Sequence, residues 1–230
     1  MAQFQSGVRS TDVTQGSMII YCADIGSVKG GRFGWARLQA SETNPTALQG
    51  RDIAEFAARI AADINAGQRV ALGFECPLFL PLPDDPIKLT SARPGEGDRP
   101  WSAGAGAAAL ATGLTETVWI LEQVKRRVVV LPDVFVDWSR FLEAPRGLFM
   151  WEAFVTKAAK ADTHHGDAER AVLAVHSHSD DLEAHNAVMC PGRVRSLFGA
   201  ALLQSGWVTE LTWLGEPCMV IRVKPIEPAA

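Results

Sequence analysis

Four acidic residues stand where chemistry is most easily built. Asp24, Glu75 and Glu152 each follow an apolar run of strand length, over residues 18–23, 69–74 and 147–151, and Asp167 opens a segment of helical period. An acid after a strand is most often a turn or capping residue. Four such acids at the ends of successive elements have a second use. Gathered carboxylates raise one another's pKa unless a cation sits among them. Hard oxygen ligands of this type suit Mg²⁺ or Mn²⁺, and such ions can align a water and a leaving oxygen on a phosphodiester. The acids therefore predict a metal site of Asp24, Glu75, Glu152 and Asp167, with Asp24, Glu75 and Asp167 as its catalytic set.

The elements that must position them are legible in the pattern. Residues 18–23 form an apolar strand, residues 27–31 a Lys-Gly-Gly turn, and residues 33–38 a returning strand, so a β-hairpin spans 18–39. A short third strand within 40–50 is weakened by Pro45. Ile53, Phe56, Ala57, Ile60, Ala61 and Ile64 recur at helical spacing over 51–66, and Gly67 is placed to end that helix. Residues 69–74 are almost wholly apolar, as in a strand covered on both faces. The segment 76–103 is rich in proline and glycine and reads as a long irregular loop. It leaves the end of the Glu75 strand, where ligands of α/β sheets bind, and offers Arg99 and Trp101 as substrate-binding residues.

A helix is predicted over 106–127, with Leu110, Leu114, Val118, Leu121 and Val124 inward. Its Lys125-Arg126-Arg127 end suits the negative pole of the helix dipole. Residues 128–131 read as a strand or a buried linker, 138–142 as a short helix and 147–151 as another strand. A helix from about 166–167 carries Ala168, Ala171, Val172, Val175 and Leu182 on its apolar face. A helix over 193–204 and a strand over 218–223 follow.

The chain has 230 residues, 47% of them hydrophobic and 21% charged, enough for one domain with its own core. Residues 1–16 read as a polar tail and 17–230 as the domain. A formal charge of −4 argues against a broad grip on nucleic acid, which requires a basic surface. Cys22, Cys76, Cys190 and Cys218 are widely spaced and form no CxxC pair, as expected for reduced thiols in the cytoplasm. No apolar run reaches the roughly 18 residues of a membrane span, and the first residues lack the basic start and apolar middle of a signal peptide. No membrane partner is expected, and oligomeric state is not legible.

The order β-β-β-α-β-α-β-α with these acids resembles the ribonuclease H-like fold. The resemblance implies an α/β, three-layer domain with a mixed five-stranded sheet, an opening hairpin and helices on both faces. It places acids on the first strand, the fourth strand and the last core helix, where Asp24, Glu75 and Asp167-Ala168 stand. More narrowly, the chain looks like uncharacterised members predicted to be nucleases. The shared stretches are Asp24-Ile25-Gly26, Phe33-Gly34-Trp35-Ala36 and Gly73-Phe74-Glu75-Cys76-Pro77-Leu78. Arg99-Pro100-Trp101-Ser102, Trp151-Glu152-Ala153-Phe154-Val155 and Gly166-Asp167-Ala168-Glu169 complete the set. They span about residues 18–205. The resemblance implies a Mg²⁺- or Mn²⁺-dependent hydrolase, a nuclease or phosphodiesterase acting on nucleic acid or a small phosphoester. Glu152 falls on the fifth strand, where nucleases of this fold do not always carry an acid.

Other readings stay open. Asp24-Ile25-Gly26-Ser27 and its Gly-rich turn also resemble the phosphate-binding hairpin of the sugar-kinase and actin superfamily. Gly26, Gly30 and Gly31 would then approach ATP, although those kinases pair two domains and this chain has room for about one. A non-catalytic scaffold of the same fold is the third alternative, with the acids paired to arginines or apart. Gly26 to Gly31 spaces like a Walker loop, but Arg32-Phe33 stand where its lysine and hydroxyl belong, and the glycine–alanine run over 104–109 follows a loop rather than a strand, so close helix packing explains it. His164 and His165 either assist a metal or act as a general acid, or are loop residues before a helix. Trp35 and Trp151 read as core, and Trp101 as core or a base-stacking residue.

Overall fold

The computed structural model describes residues 18–40, 45–97 and 100–225; the predicted tail over 1–16 and Arg99 lie outside them. β1 (Met18–Asp24) and β2 (Gly34–Gln39) form the expected hairpin, and β3 (Leu48–Gly50) adds antiparallel to β2. α1 (Ile53–Asn65) starts at Asp52, whose side chain accepts from the Ala54 and Glu55 amides. It ends before Gly67, which takes φ +77°, a left-handed conformation open to glycine at little steric cost.

β4 (Arg69–Glu75) then lies parallel to β1, and β5 (Phe79–Pro81) interrupts the predicted irregular segment. α2 (Gly104–Lys125), β6 (Val134–Phe135), α3 (Trp138–Glu143), β7 (Gly147–Phe154) and α4 (His164–Ser177) follow. β8 (Val194–Ser196), α5 (Leu197–Ser205) and β9 (Met219–Arg222) complete the described chain.

The main sheet is mixed and has seven strands rather than five, in the order β3-β2-β1-β4-β7-β6, with β9 also on β7. The two extra strands, β6 with 2 residues and β9 with 4, are parallel to β7. They share one of its edges, β6 at Leu148–Phe149 and β9 at Trp151–Phe154. β6 is too short to show a period in sequence. β5 and β8 pair separately.

Alternate strand residues face opposite layers, as the pleat requires. Ile19, Tyr21, Val70, Leu72, Leu148 and Met150 pack with α1, α2 and α5. Ile20, Cys22, Ala71, Phe149 and Trp151 pack with α3 and α4. β1, β4 and β7 are therefore buried on both faces, which is why their sequences run apolar rather than alternating.

Several expectations are corrected. Residues 128–131 are neither strand nor buried linker: Val129 is 87% exposed. The inward face of α2 is Gly113, Thr117, Ile120, Leu121 and Val124, whereas Leu114 is 51% exposed. The face is rotated because Gly113 sits against the Cys76 thiol, where any added Cβ would come within 2.6 Å of sulfur. The predicted helix over 193–204 begins as β8, so Val194 is a strand residue. Glu152 lies inside β7, not beyond its end.

Candidate functional site

The register of the central strands builds the site. Asp24 pairs with Glu75 across β1 and β4, both at the carboxyl ends of parallel strands. Asp24 continues the face of Ile20 and Cys22, and Glu75 that of Ala71, so both carboxylates point to the α4 layer. α4 brings Asp167 in its first turn, buried to 3% exposure. One carboxylate oxygen from each of Asp24, Glu75 and Asp167 lies within 4.8 Å of the other two.

The approach of α4 depends on Gly34. A Cβ there would fall 2.3 Å from the His165 amide nitrogen, so any side chain would lift the helix start off β2. Thr163 caps that start by accepting from the Gly166 amide. Asp167 is further fixed by the Ala161 amide, which donates to its Oδ1 at 2.5 Å.

Two basic or titratable groups, Lys160 and His164, surround the acids. Lys160 Nζ lies 3.2 Å from Glu75 Oε1 and 3.0 Å from Asp167 Oδ2, and its side chain is 41% exposed. His164, the first residue of α4, sets Nδ1 against Asp24 Oδ2. His165 instead turns outward, its Nδ1 3.2 Å from Arg51 Nε. Of the two histidines, only His164 belongs to the cluster.

Burial dominates the electrostatics. It pushes the Glu75 carboxyl well above the ordinary range, with the Asp24 and Asp167 charges adding to the effect and Lys160 opposing it. Asp24 is raised by burial too, against the His164 contact and the Lys160 charge. Lys160 loses by its own desolvation, yet Glu75 first, then Asp167 and Asp24, hold it above its usual value. These directions agree: one ammonium shared among three buried carboxylates is strongly favoured itself but cannot satisfy all three. Glu75 Oε2 is buried with no hydrogen-bond partner among the described residues.

Glu152 is brought close in the chain but not into the cluster. It pairs with Phe74, one register short of Glu75, and so faces the α2 layer with Met150. There the Arg93 guanidinium takes both its oxygens, at 2.5 and 2.9 Å, and the Leu78 amide donates to Oε2 at 2.9 Å. Arg93 also bonds Glu96, and all three side chains are 1–2% exposed. Glu152 thus anchors the 76–103 segment to the sheet.

A cleft of about 400 Å³ opens over the ends of β1, β4 and β7. Asp24, Glu75, Lys160, His164 and Val155 line its α4 side; Ile25, Ala105, Ala108 and Ala109 line the other. Trp101 also borders it, its ring nitrogen donating to the Ser91 carbonyl at 3.1 Å. Trp35 and Trp151 are core, each fully buried. Of the hairpin glycines only Gly26 reaches the cleft, while Gly30 and Gly31 sit in the exposed turn.

The sequence pattern passed over Lys160, Arg32, Arg93 as the partner of Glu152, and Glu116. Lys160 stands seven residues before Asp167 without periodicity to mark it. Glu116 had a signal: it lies between Gly113 and Thr117 on the true inward face of α2. Burial pushes it up to about 7 against the hydrogen bond from the Gly26 amide, with the Asp24 charge adding to the rise.

Fold and site together define an α/β protein with a buried acidic cluster at the carboxyl ends of parallel strands. Comparison with protein-family models, curated proteins and solved structures finds no match to this chain. No helix among the described residues is long and apolar enough to cross a membrane.

Proposed function

We propose that the chain is a ribonuclease H-like, divalent-metal-dependent phosphodiesterase, with Asp24, Glu75 and Asp167 holding Mg²⁺ or Mn²⁺. The observation that carries this reading is the convergence of three carboxylates, Asp24 and Asp167 buried and Glu75 nearly so, from two strands and a helix, with Asp24 and Glu75 lining an open cleft. The donor set fits the ion. All three are hard oxygen ligands, Glu75 Oε2 has no hydrogen-bond partner among the described residues, and the single Lys160 ammonium leaves an excess of negative charge.

When bound, the ion supplies charge neutralisation at a phosphoryl oxygen and acidifies a water. The chain's own residues do the rest. The Ala161 amide and Thr163 cap fix Asp167, and His164 orients Asp24. Lys160 offsets the acids and, being at the surface, is free to leave them. Arg32, at the cleft, faces an incoming phosphate. Glu152 acts through Arg93 to hold the cleft wall and is no longer proposed as a ligand.

One observation favours a second reading. Lys160 already lies against Glu75 and Asp167, so the acids suit equally the internal salt bridges of a binding protein of the same fold.

The test is calorimetric titration with Mn²⁺ in the presence of inorganic phosphate, beside hydrolysis of bis(p-nitrophenyl) phosphate. Wild type binds saturably and hydrolyses; Asp24→Asn and Asp167→Asn, still folded, do neither. Folded wild type that takes up no Mn²⁺, or variants that bind as wild type does, would refute the metal site.

A further inference from the structure

The two sides of the cleft differ in chemistry. The α4 side carries Asp24 and Glu75, while Glu96 and Glu152, which also border the cleft, are paired with Arg93. The α2 side carries Ala105, Ala108, Ala109 and Thr112 at spacings of i, i+3, i+4 and i+7, one stripe of a helix. Larger side chains would pack down and close the space; these leave it open, and Ala105 and Ala108 remain exposed. Gly106 of the same run does serve close packing, since its Cβ would lie 2.8 Å from the Pro100 carbonyl oxygen. The alanines beside it line a cavity instead.

That cavity is bounded in size and charge. About 400 Å³ is within the range of small-molecule sites. Single-stranded nucleic acid is held differently, by an extended basic groove with several stacking rings. Here Arg93 is consumed by Glu96 and Glu152, and Lys160 by the acids. Arg32 lines the cleft, is exposed, and has no side-chain partner among the described residues. One free guanidinium suits one phosphate group. A row of Cβ methyls on a helix is a flat apolar surface, which matches a planar ring and packs poorly against a branched chain.

We propose that the cleft takes a phosphoester the size of a single nucleotide, its phosphate toward the acids and Arg32 and its base flat against the alanine stripe of α2. The position of the phosphate rests on the metal-site reading. The base wall does not. Polymeric nucleic acid enters only by an unpaired terminal nucleotide.

The experiment compares adenosine monophosphate, ribose 5-phosphate and a single-stranded dodecanucleotide by calorimetry with Mn²⁺ present, in wild type and Ala108→Phe. The nucleotide binds wild type at least about tenfold tighter than the base-free sugar phosphate, from the apolar area one base face buries against the alanine stripe. The dodecanucleotide gains no further tenfold. Ala108→Phe, whose new ring enters the cleft rather than the core, loses the preference while keeping Mn²⁺ and ribose 5-phosphate binding. Equal binding of the two small ligands, a preference that survives in Ala108→Phe, or a much tighter dodecanucleotide overturns this inference with the metal reading intact. Absent Mn²⁺ binding with the base preference retained overturns the metal reading and leaves the base wall standing.

Discussion

Replacing Lys160 by methionine should tighten metal binding, because the ammonium competes for the oxygens a metal would use. Lys160 Nζ stands 3.2 Å from Glu75 Oε1 and 3.0 Å from Asp167 Oδ2. Unit charges at about 3 Å attract by about 1.4 kcal/mol in water and by about 5 kcal/mol at an effective dielectric constant near 20. The lysine side chain is 41% exposed, so solvent screening and side-chain ordering bring each contact down to about 0.5–1 kcal/mol. Two contacts then withhold about 1–2 kcal/mol, which corresponds to a roughly 5- to 30-fold lower Kd for Mn²⁺ in Lys160→Met. The assay is Mn²⁺ calorimetry on both proteins at pH 8. A thermal melt supplies the control. Without metal the variant leaves Glu75 and Asp167 without their ammonium and should melt a few degrees lower, and saturating Mn²⁺ should restore it. An unchanged or weaker Mn²⁺ affinity in a folded variant would refute the competition and favour the fixed salt bridge of a binding protein.

Two further outcomes follow from buried charge. Because burial raises Glu75 and Asp24, the folded protein keeps protons that the unfolded chain releases near pH 4–4.5, so metal-free stability falls as pH rises from there; urea unfolding at pH 5 and pH 8 should show a smaller loss in Glu75→Gln than in wild type. Arg93→Met strands Glu152 and Glu96 in the interior, a loss of about 3–5 kcal/mol, and limited proteolysis should then cut within 76–103 at sites that wild type protects.

Much of the fold was legible because its central strands are covered on both faces. Unbroken apolar runs ending in Asp24 and Glu75 mark β1 and β4, and their parallel pairing aligns the two acids without further information. Asp167 was legible as an acid in the first turn of an amphipathic helix. Glu152 shows where such reading stops. Its type and its position after an apolar run match the others, but its side chain faces the opposite layer, and parity depends on a register that only the assembled sheet defines. The face of α2 is legible in its second half, where Leu121 and Val124 are buried as the spacing predicts, but not in its first, where Gly113 and Thr117 turn inward and Leu114 outward. Lys160 and Arg32 reach the site from loops, where no period announces a direction.

The forked edge of β7 also sets the order in which the molecule can be completed. Its first half is covered by β6, which precedes it by a short connection, but the half carrying Glu152 and Phe154 waits for β9, whose residues lie more than sixty positions later. The same late segment ties down the rim. Val220 exchanges hydrogen bonds with Asn186 and Ala187, and the Arg222 guanidinium donates to the Gly95 carbonyl. During synthesis the cleft wall therefore exists first as an unpaired strand edge, the kind of surface that recruits other chains. Closure by such a distant partner is slow, because the loop entropy is lost before the contact is made. The stretch of β7 that carries Glu152 and Phe154 is a paired strand only once residues 219–222 have docked on it.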